Sequence, residues 1–198
     1  MQERAARTRQ ALIHAAALEF DQIGYAAASL AGIGRAAGTS TGAVTFHFTT
    51  KAALADAVHA HGVAATRHAM EQVDHRAGPL RTAIAMAGAV VRCLENDVTV
   101  RAAARLDQDR DAYAHRWSAT WSTAVQDELA GAPGPPPGAP TGPSLVLALL
   151  VYLVHGAEVT VRAQHREHAP AARAGSVSEL FTRMWETLLP SVEWPPQA

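Results

Sequence analysis

Cysteine is almost absent: Cys93 stands alone in 198 residues, which excludes an intramolecular disulfide framework and fits a reducing compartment. The chain is also almost free of lysine, and only 18% of its residues are charged, with a formal balance of −1 at pH 7. A molecule so close to neutral has no general attraction for polyanions, so any affinity for nucleic acid must come from a local patch. The longest uninterrupted apolar run, Leu145 to Val154, has ten residues, short of the roughly 20 that a membrane-crossing helix needs. The amino end is charged and lacks a leucine-rich stretch, so no signal peptide is expected. A Gly-rich phosphate loop, a Ser/His/Asp motif and metal-ligand spacing are missing too, so no catalytic residues, cofactor or metal are expected. What remains is plentiful apolar material, 48% of the chain, enough for a real core. A cytoplasmic protein without contact to a membrane is the expectation, and the helical spacings that follow make it all-α.

The informative stretch runs from Ser29 to Lys51, SLAGIGRAAGTSTGAVTFHFTTK. Leu30, Ile33, Ala36 and Ala37 repeat at helical spacing, giving a short helix one apolar face. Gly38 can take positive φ cheaply and end it. Ser40 then offers an N-cap for a second short helix through Ala43, Val44 and Phe46. Two short helices joined by a glycine turn are a helix-turn-helix, whose second helix enters the DNA major groove. Arg4, Arg7 and Arg9 against Glu3 make the one dense basic run nearby, suited to phosphates.

The pattern Ser29…Ile33…Ala36-Ala37-Gly38-Thr39-Ser40-x-Gly42…Phe46-His47-Phe48-x-x-Lys51-x-x-Leu54 resembles the DNA-binding domain of the TetR family of repressors. Glu3-Arg4-Ala5-Ala6-Arg7-Thr8-Arg9, Ala15-Ala16-Ala17-x-x-Phe20 and Gly24-Tyr25-Ala26-Ala27-Ala28-Ser29-Leu30 are similar to the γ-butyrolactone receptor branch, the actinobacterial autoregulator receptors of antibiotic control. The motif resemblance covers about the first 60 residues; beyond them it is one of layout. It implies a three-helix DNA-binding domain over residues 1–50 and a helical ligand-binding and dimerisation domain over 51–198. The DNA-facing candidates are Arg4, Arg7, Arg9, Ser29, Thr39, Ser40, Thr41, Gly42, Thr45, His47 and Lys51, the last at the family's position for a phosphate-contacting lysine. Two departures stand out. Thr45 occupies the place of a tyrosine that commonly contacts phosphate in the family. Gly32 and Gly34 fall inside the first motif helix, each costing about 1 kcal/mol against alanine.

Further along, Leu12, Ile13, Ala16 and Phe20 predict a first helix that Gly24 ends. A fourth helix is expected from about Thr50 to Val73, through Leu54, Val58, Val63 and Met70. His59, His61, His68 and His75 read as solvated surface, since rings two residues apart sit about 200° apart around a helix. Leu80, Ile84, Ala87, Val91 and Leu94 define another helix, with Met86 and Cys93 beside its stripe. Arg101 to Asp111 reads as a mixed charge run; Asp107-x-Asp109-x-Asp111 lacks the turn glycine and terminal glutamate of a calcium loop, and so reads as a solvated helix end.

Tyr113, Trp117, Trp121, Val125 and Leu129 recur every four residues, a helical stripe. The resemblance implies a ligand cavity with a tryptophan from this helix in its wall; Trp117 fits best and Trp121 next. Met86, Val90 and Cys93 complete the apolar candidates. The proline-rich GAPGPPPGAPTGP at 131–143 is a loop no helix can cross. The helix from Leu145 to about His168 is apolar nearly all round at its start and is expected to be largely buried. A buried Tyr152 or Thr160 on it could hydrogen-bond a lactone carbonyl, although a satisfied core role is as compatible with the pattern. His165 and His168 read as surface. A last helix from Ser176 to Leu189, apolar at Val177, Leu180, Phe181, Met184 and Leu188, would pair with its neighbour and a second copy as a four-helix bundle.

The function expected is that of a homodimeric repressor that binds a pseudo-palindromic operator and is released by a γ-butyrolactone-like effector. A pseudo-receptor of the same fold, answering an antibiotic, an intermediate or nothing, is the alternative; an enzyme or carrier without DNA function is a more distant one.

Overall fold

A computed structural model describes residues 2–113, 116–132, 142–166 and 175–192. The proline-rich stretch at 133–141, His168 and the tail at 194–196 lie outside the described residues. Every regular element described is helical: α1 Gln2–Ala27, α2 Leu30–Ala36, α3 Thr41–His47, α4 Lys51–Glu71, α5 Pro79–Asn96, α6 Val98–Asp109, α7 Arg116–Ala130, α8 Pro143–Arg166 and α9 Val177–Val192. Two compact units result, Met1–Ala65 with Asp97–Ser118, and Thr66–Asn96 with Ala119–Ala198. The unit containing the helix-turn-helix therefore takes in the first part of α4, all of α6 and the start of α7, beyond a functional cut at residue 50.

In the first unit α1 buries Leu12, Ile13, Ala16 and Phe20 completely, the stripe its sequence shows. These side chains pack with Ile33, Val44, Phe48, Leu54, Val58 and Leu106 in one core. Gly24 breaks the helical path with φ of 81° and ψ of 170°. Its place is also tight: a Cβ there would lie 2.7 Å from Arg105 Nη2 and 2.8 Å from Asp109 Oδ2. Only glycine meets both demands.

The charge run at 101–111 is not a solvated end. It belongs to α6, which lies along α1 and buries Val98, Val100, Ala102, Ala103, Ala104 and Leu106, with Arg101 buried beside them. Arg101 Nε donates to Asp21 Oδ2 at 2.8 Å, and Arg105 Nη1 donates to the Asp21 carbonyl at 2.8 Å. Asp109 accepts from the Tyr25 backbone N–H at 2.8 Å. The cations thus close the carboxyl end of α1, where unsatisfied carbonyls and the helix dipole favour positive charge.

His59 and Asp107 also depart from the solvated reading. His59 is 7% exposed, its Nε2 lies 3.0 Å from Asp107 Oδ1, and its ring stacks on Tyr113 at 4.6 Å. Asp107 accepts from the backbone N–H groups of Trp117 at 2.9 Å and Ser118 at 3.0 Å, capping α7. Tyr113 donates to Asp56 and accepts from Arg110; burial, and then the Asp56 carboxylate, push its hydroxyl well above the usual tyrosine range. Pairings this distant leave no trace in local periodicity. A buried polar cluster of this kind is stable because each member finds a partner.

In the second unit α5 packs on α8 and α9, and α8 packs on α9. Glu95, at the end of α5, accepts from Ser176 Oγ and the Val177 N–H, so α9 starts where α5 ends and the two run antiparallel. Burial raises the Glu95 carboxyl, but the hydrogen bonds from Ser178, Ser176 and Val177 outweigh it and hold the group below its usual range.

Among the described residues, Pro143–His165 of α8 is a stretch long and apolar enough to cross a membrane. The ten-residue run understates it, because Ala157, Val159 and Val161 carry the apolar character past Val154. Nor is α8 largely buried: 33% of its most apolar stretch is. Val146, Leu150, Val154, Ala157 and Val161 face inward, while Leu145, Tyr152 and Val159, seven residues apart, are exposed. On α9, Val177, Phe181 and Trp185 are buried whereas Leu180, Met184 and Leu188 are exposed. The two helices share an outward apolar face.

Candidate nucleic-acid interface and effector-domain residues

The reading head is built from local signals. Ser29 caps α2 by accepting from the Gly32 N–H at 3.0 Å, and Ser40 caps α3 by accepting from the Ala43 N–H at 3.2 Å. Gly38 turns between them with φ of 65°. Gly34 is more than a weak point in the helix: a Cβ there would lie 2.9 Å from Val44 Cγ2, so the crossing of α2 and α3 depends on its absence. Gly34→Ala is expected to cost about 1–3 kcal/mol by overpacking, although alanine favours helices, and thermal unfolding of the purified protein checks it.

On α3, Thr41, Gly42 and Thr45 are exposed and His47 is half-buried. Thr45 Oγ1 turns back to the carbonyls of Thr41, 3.2 Å, and Gly42, 3.1 Å. Its hydroxyl hydrogen is thus engaged within its own helix, and its reach is short compared with the tyrosine of the resembled family. Phe46 is 81% exposed and its ring meets His47 edge-on at 5.2 Å. In sequence Phe46 reads as a helix-building residue; it stands two positions from buried Val44, about 200° around the helix, and so on the exposed side.

Around this head, Arg4, Arg7 and Arg9 are exposed on α1. Arg7 makes a surface ion pair with Glu3 at 3.4 Å, a contact of small energetic weight. Arg9 lies over the Phe48 ring at 5.1 Å, which brings its charge to the helix-turn-helix. Thr39, half-buried, sits in the turn, and Thr50 caps α4 by accepting from the Ala53 N–H. Lys51 is directed inward: Nζ donates to the carbonyls of Tyr25 at 2.8 Å, Ala28 at 2.9 Å and Ala26 at 3.3 Å. Its ammonium also stands 4.4 Å from the Tyr25 ring. An ammonium has three donors, so Lys51 reaches a phosphate only by giving one of these up.

The effector-domain candidates fall in different surroundings. Trp117 is buried in the first unit, and Trp121 is buried in the second. On α5, Met86 and Val90 are buried and Cys93 is half-buried. Trp121 meets the His155 ring at 6.1 Å. His155 in turn pairs with Glu158, 3.5 Å away; that hydrogen bond raises the imidazole above its usual value, offset in part by burial. Glu158 is buried and also bonds Arg162. In sequence these residues only interrupt an apolar helix, and nothing there places them beside a tryptophan. Tyr152 and Thr160 are not buried as expected. Tyr152 is 75% exposed, Thr160 Oγ1 donates to its own helix at Gly156, and both line a shallow apolar groove with Leu180 and Met184 that contains neither Met86 nor Val90.

An exposed, capped second helix on a rigid three-helix frame is the arrangement of a DNA-reading bacterial regulator. Residues 12–58 match the family described as bacterial regulatory proteins, tetR family, and the chain carries the amino-terminal domain of that family. The whole chain has the fold of its γ-butyrolactone receptor branch. It is 25% identical to CprB of Streptomyces coelicolor A3(2), with a TM-score of 0.72 over 98% of this chain and 91% of that one. CprB in complex with its biological operator sequence also matches, at 25% identity and a TM-score of 0.64, over 93% of this chain and 99% of that one. A γ-butyrolactone receptor described as ArpA-like shares the fold at 22% identity, with a TM-score of 0.71 over 94% and 88%. No curated protein sequence matches.

Proposed function

We propose that the chain is a cytoplasmic transcriptional repressor of the TetR type, acting as a homodimer on a pseudo-palindromic operator and released by a small γ-butyrolactone-like effector, in the control of secondary metabolism. The observation that carries the reading is the capped α2–α3 pair with Thr41, Thr45 and Phe46 exposed along one edge. Base edges meet Thr41, Gly42, Thr45, Phe46 and His47, the phenyl ring suiting a thymine methyl group. Phosphates meet Arg4, Arg7, Arg9, Ser29, Thr39, Ser40 and Lys51. The outward face of α8 and α9 supports the dimer, since apolar stripes at Leu145, Tyr152 and Val159 and at Leu180, Met184 and Leu188 are covered when two copies form a four-helix bundle. Trp121, Met86, Val90 and Cys93, all of the second unit, are the apolar residues of the proposed effector site. An effector that binds the released state better by about 1–3 kcal/mol gives partial release.

The exposure of Tyr152 and Thr160 favours a second reading of the trigger: with those hydroxyls outside, the effector is an antibiotic or intermediate of another chemistry. A mobility-shift assay on the fragment upstream of the protein's own gene tests both. Retardation that γ-butyrolactones dissolve supports the first, retardation that only antibiotics dissolve the second, and no retardation at low salt ends the repressor reading. Lys51→Ala is expected to weaken binding to all sequences alike and to lower the salt slope by about one; an altered base preference would contradict the phosphate role.

A further inference from the structure

The chain passes between its two compact units at three places: from Ala65 to Thr66, from Asn96 to Asp97 and from Ser118 to Ala119. Within the first unit, all three are fastened to α6. We propose that two of these fastenings make a hinge and the third a latch. The units swing about Gly62 and Thr99, and Asp107 holds them in one setting by gripping the start of α7. The hinge goes beyond the repressor reading and does not rest on it.

The hinge is a contact of backbone on backbone. Gly62 lies on α4 just before the first passage, and Thr99 lies on α6 just after the second. A Cβ at Gly62 would stand 2.6 Å from Ala103 Cβ and overlap the Thr99 carbonyl oxygen. Only glycine permits that approach, and it brings two of the three passages to one point. Thr99 is a firm seat, since Asp97 Oδ1 accepts from its N–H and from its hydroxyl, both at 2.7 Å. Interlocking side chains are what fix a helix crossing angle. Here α4 meets α6 with no side chain of its own, so the contact holds a position more firmly than an angle.

The third passage is held elsewhere on α6, because Asp107 lies about 12 Å along that helix from Thr99. Its Oδ2 accepts from the N–H groups of Trp117 at 2.9 Å and Ser118 at 3.0 Å, the last residues before the boundary. The buried Trp117 side chain completes the grip. His59 Nε2, 3.0 Å from Asp107 Oδ1 and one turn before Gly62 on α4, aligns the carboxylate. First-turn N–H groups of a helix can be satisfied by water instead. The latch can therefore open while the hinge contact stays closed.

Spin-label distances between the units test this. The labels go on Arg35→Cys and Glu186→Cys, both exposed positions, in a Cys93→Ser background. Dilution with unlabelled protein restricts the signal to distances within one chain. Loss of a helix cap should raise the open population about tenfold, so Asp107→Ala should broaden the distance distribution. Asp107→Asn, the milder change, takes its place if the alanine protein does not fold. His59→Phe keeps the cap and should leave the width as it is, whatever it does to thermal unfolding. Gly62→Ala must lift α4 off α6 by about 1 Å to reach ordinary contact, and should shift the mean distance without broadening it. An Asp107 variant as narrow as the unaltered chain, equal broadening by His59→Phe, or an unmoved mean in Gly62→Ala would each overturn the proposal. The measurement needs neither operator nor effector, so its failure and that of the repressor reading are separate results.

Discussion

Arg101→Ala is expected to destabilise the DNA-reading unit by about 3–5 kcal/mol, the usual consequence of stranding one partner of a buried ion pair. Asp21 is 5% exposed and Arg101 8% exposed, and the two meet at 2.8 Å across the α1–α6 contact. Truncating the arginine takes the hydrogen-bonded cation from the buried Asp21 carboxylate, while Arg105 stays engaged with the Asp21 and Gln22 backbone carbonyls and with Asp109. The reciprocal change, Asp21→Ala, strands the guanidinium and should cost a similar amount. The double variant Asp21→Leu with Arg101→Met is the informative control. Apolar replacement of both partners is often neutral or stabilising, so its unfolding should return close to that of the unaltered protein. Because the chain forms two compact units, a single unfolding free energy is ill defined; hydrogen exchange of α1 amides reports the unit concerned. Exchange in Arg101→Ala no faster than in the unaltered chain would show that water reaches Asp21.

That ion pair also shows where reading the sequence stops. Ser40, Gly38 and Ser29 act on groups within three or four residues of themselves, and the caps and turn they build were legible for that reason. The stripe of α1 and the periodic runs of α5 and α7 were legible because burial imposes a repeat. The α1–α6 contact joins residues eighty positions apart, and nothing local distinguishes Arg101, which is buried, from Arg116, which is exposed. The mixed charge run was read as solvated for the same reason, and α6 was missed as a core helix. Gly34 was read as a cost to its helix because its gain, the close approach of Val44, lies on another element. On α8 and α9 the count of apolar residues was legible but not its division: period 3.6 marks a helix as apolar on two sides without saying which side a neighbour covers. Tyr152 was therefore expected inside and stands outside.

Asp107→Ala carries the second large effect. One carboxylate serves three groups: the His59 ring and the Trp117 and Ser118 N–H groups that open α7. Loss of a helix cap costs about 0.5–2 kcal/mol, and an orphaned buried imidazole a further 1–3 kcal/mol, so a total of about 1.5–5 kcal/mol is expected. Asn at the same position keeps an acceptor oxygen for one donor and should recover part of the loss. His59→Phe separates the two contributions, since it preserves the stack on Tyr113 and the cap on α7 while removing the ring nitrogens; its cost should be well below that of Asp107→Ala. The distinguishing measurement is hydrogen exchange at Trp117 and Ser118. Those amides should lose protection in Asp107→Ala and keep it in His59→Phe. Equal loss in both variants would mean that the histidine, and not the backbone cap, is what Asp107 chiefly holds, and the amino end of α7, with Trp117 on it, would then be fixed through α4.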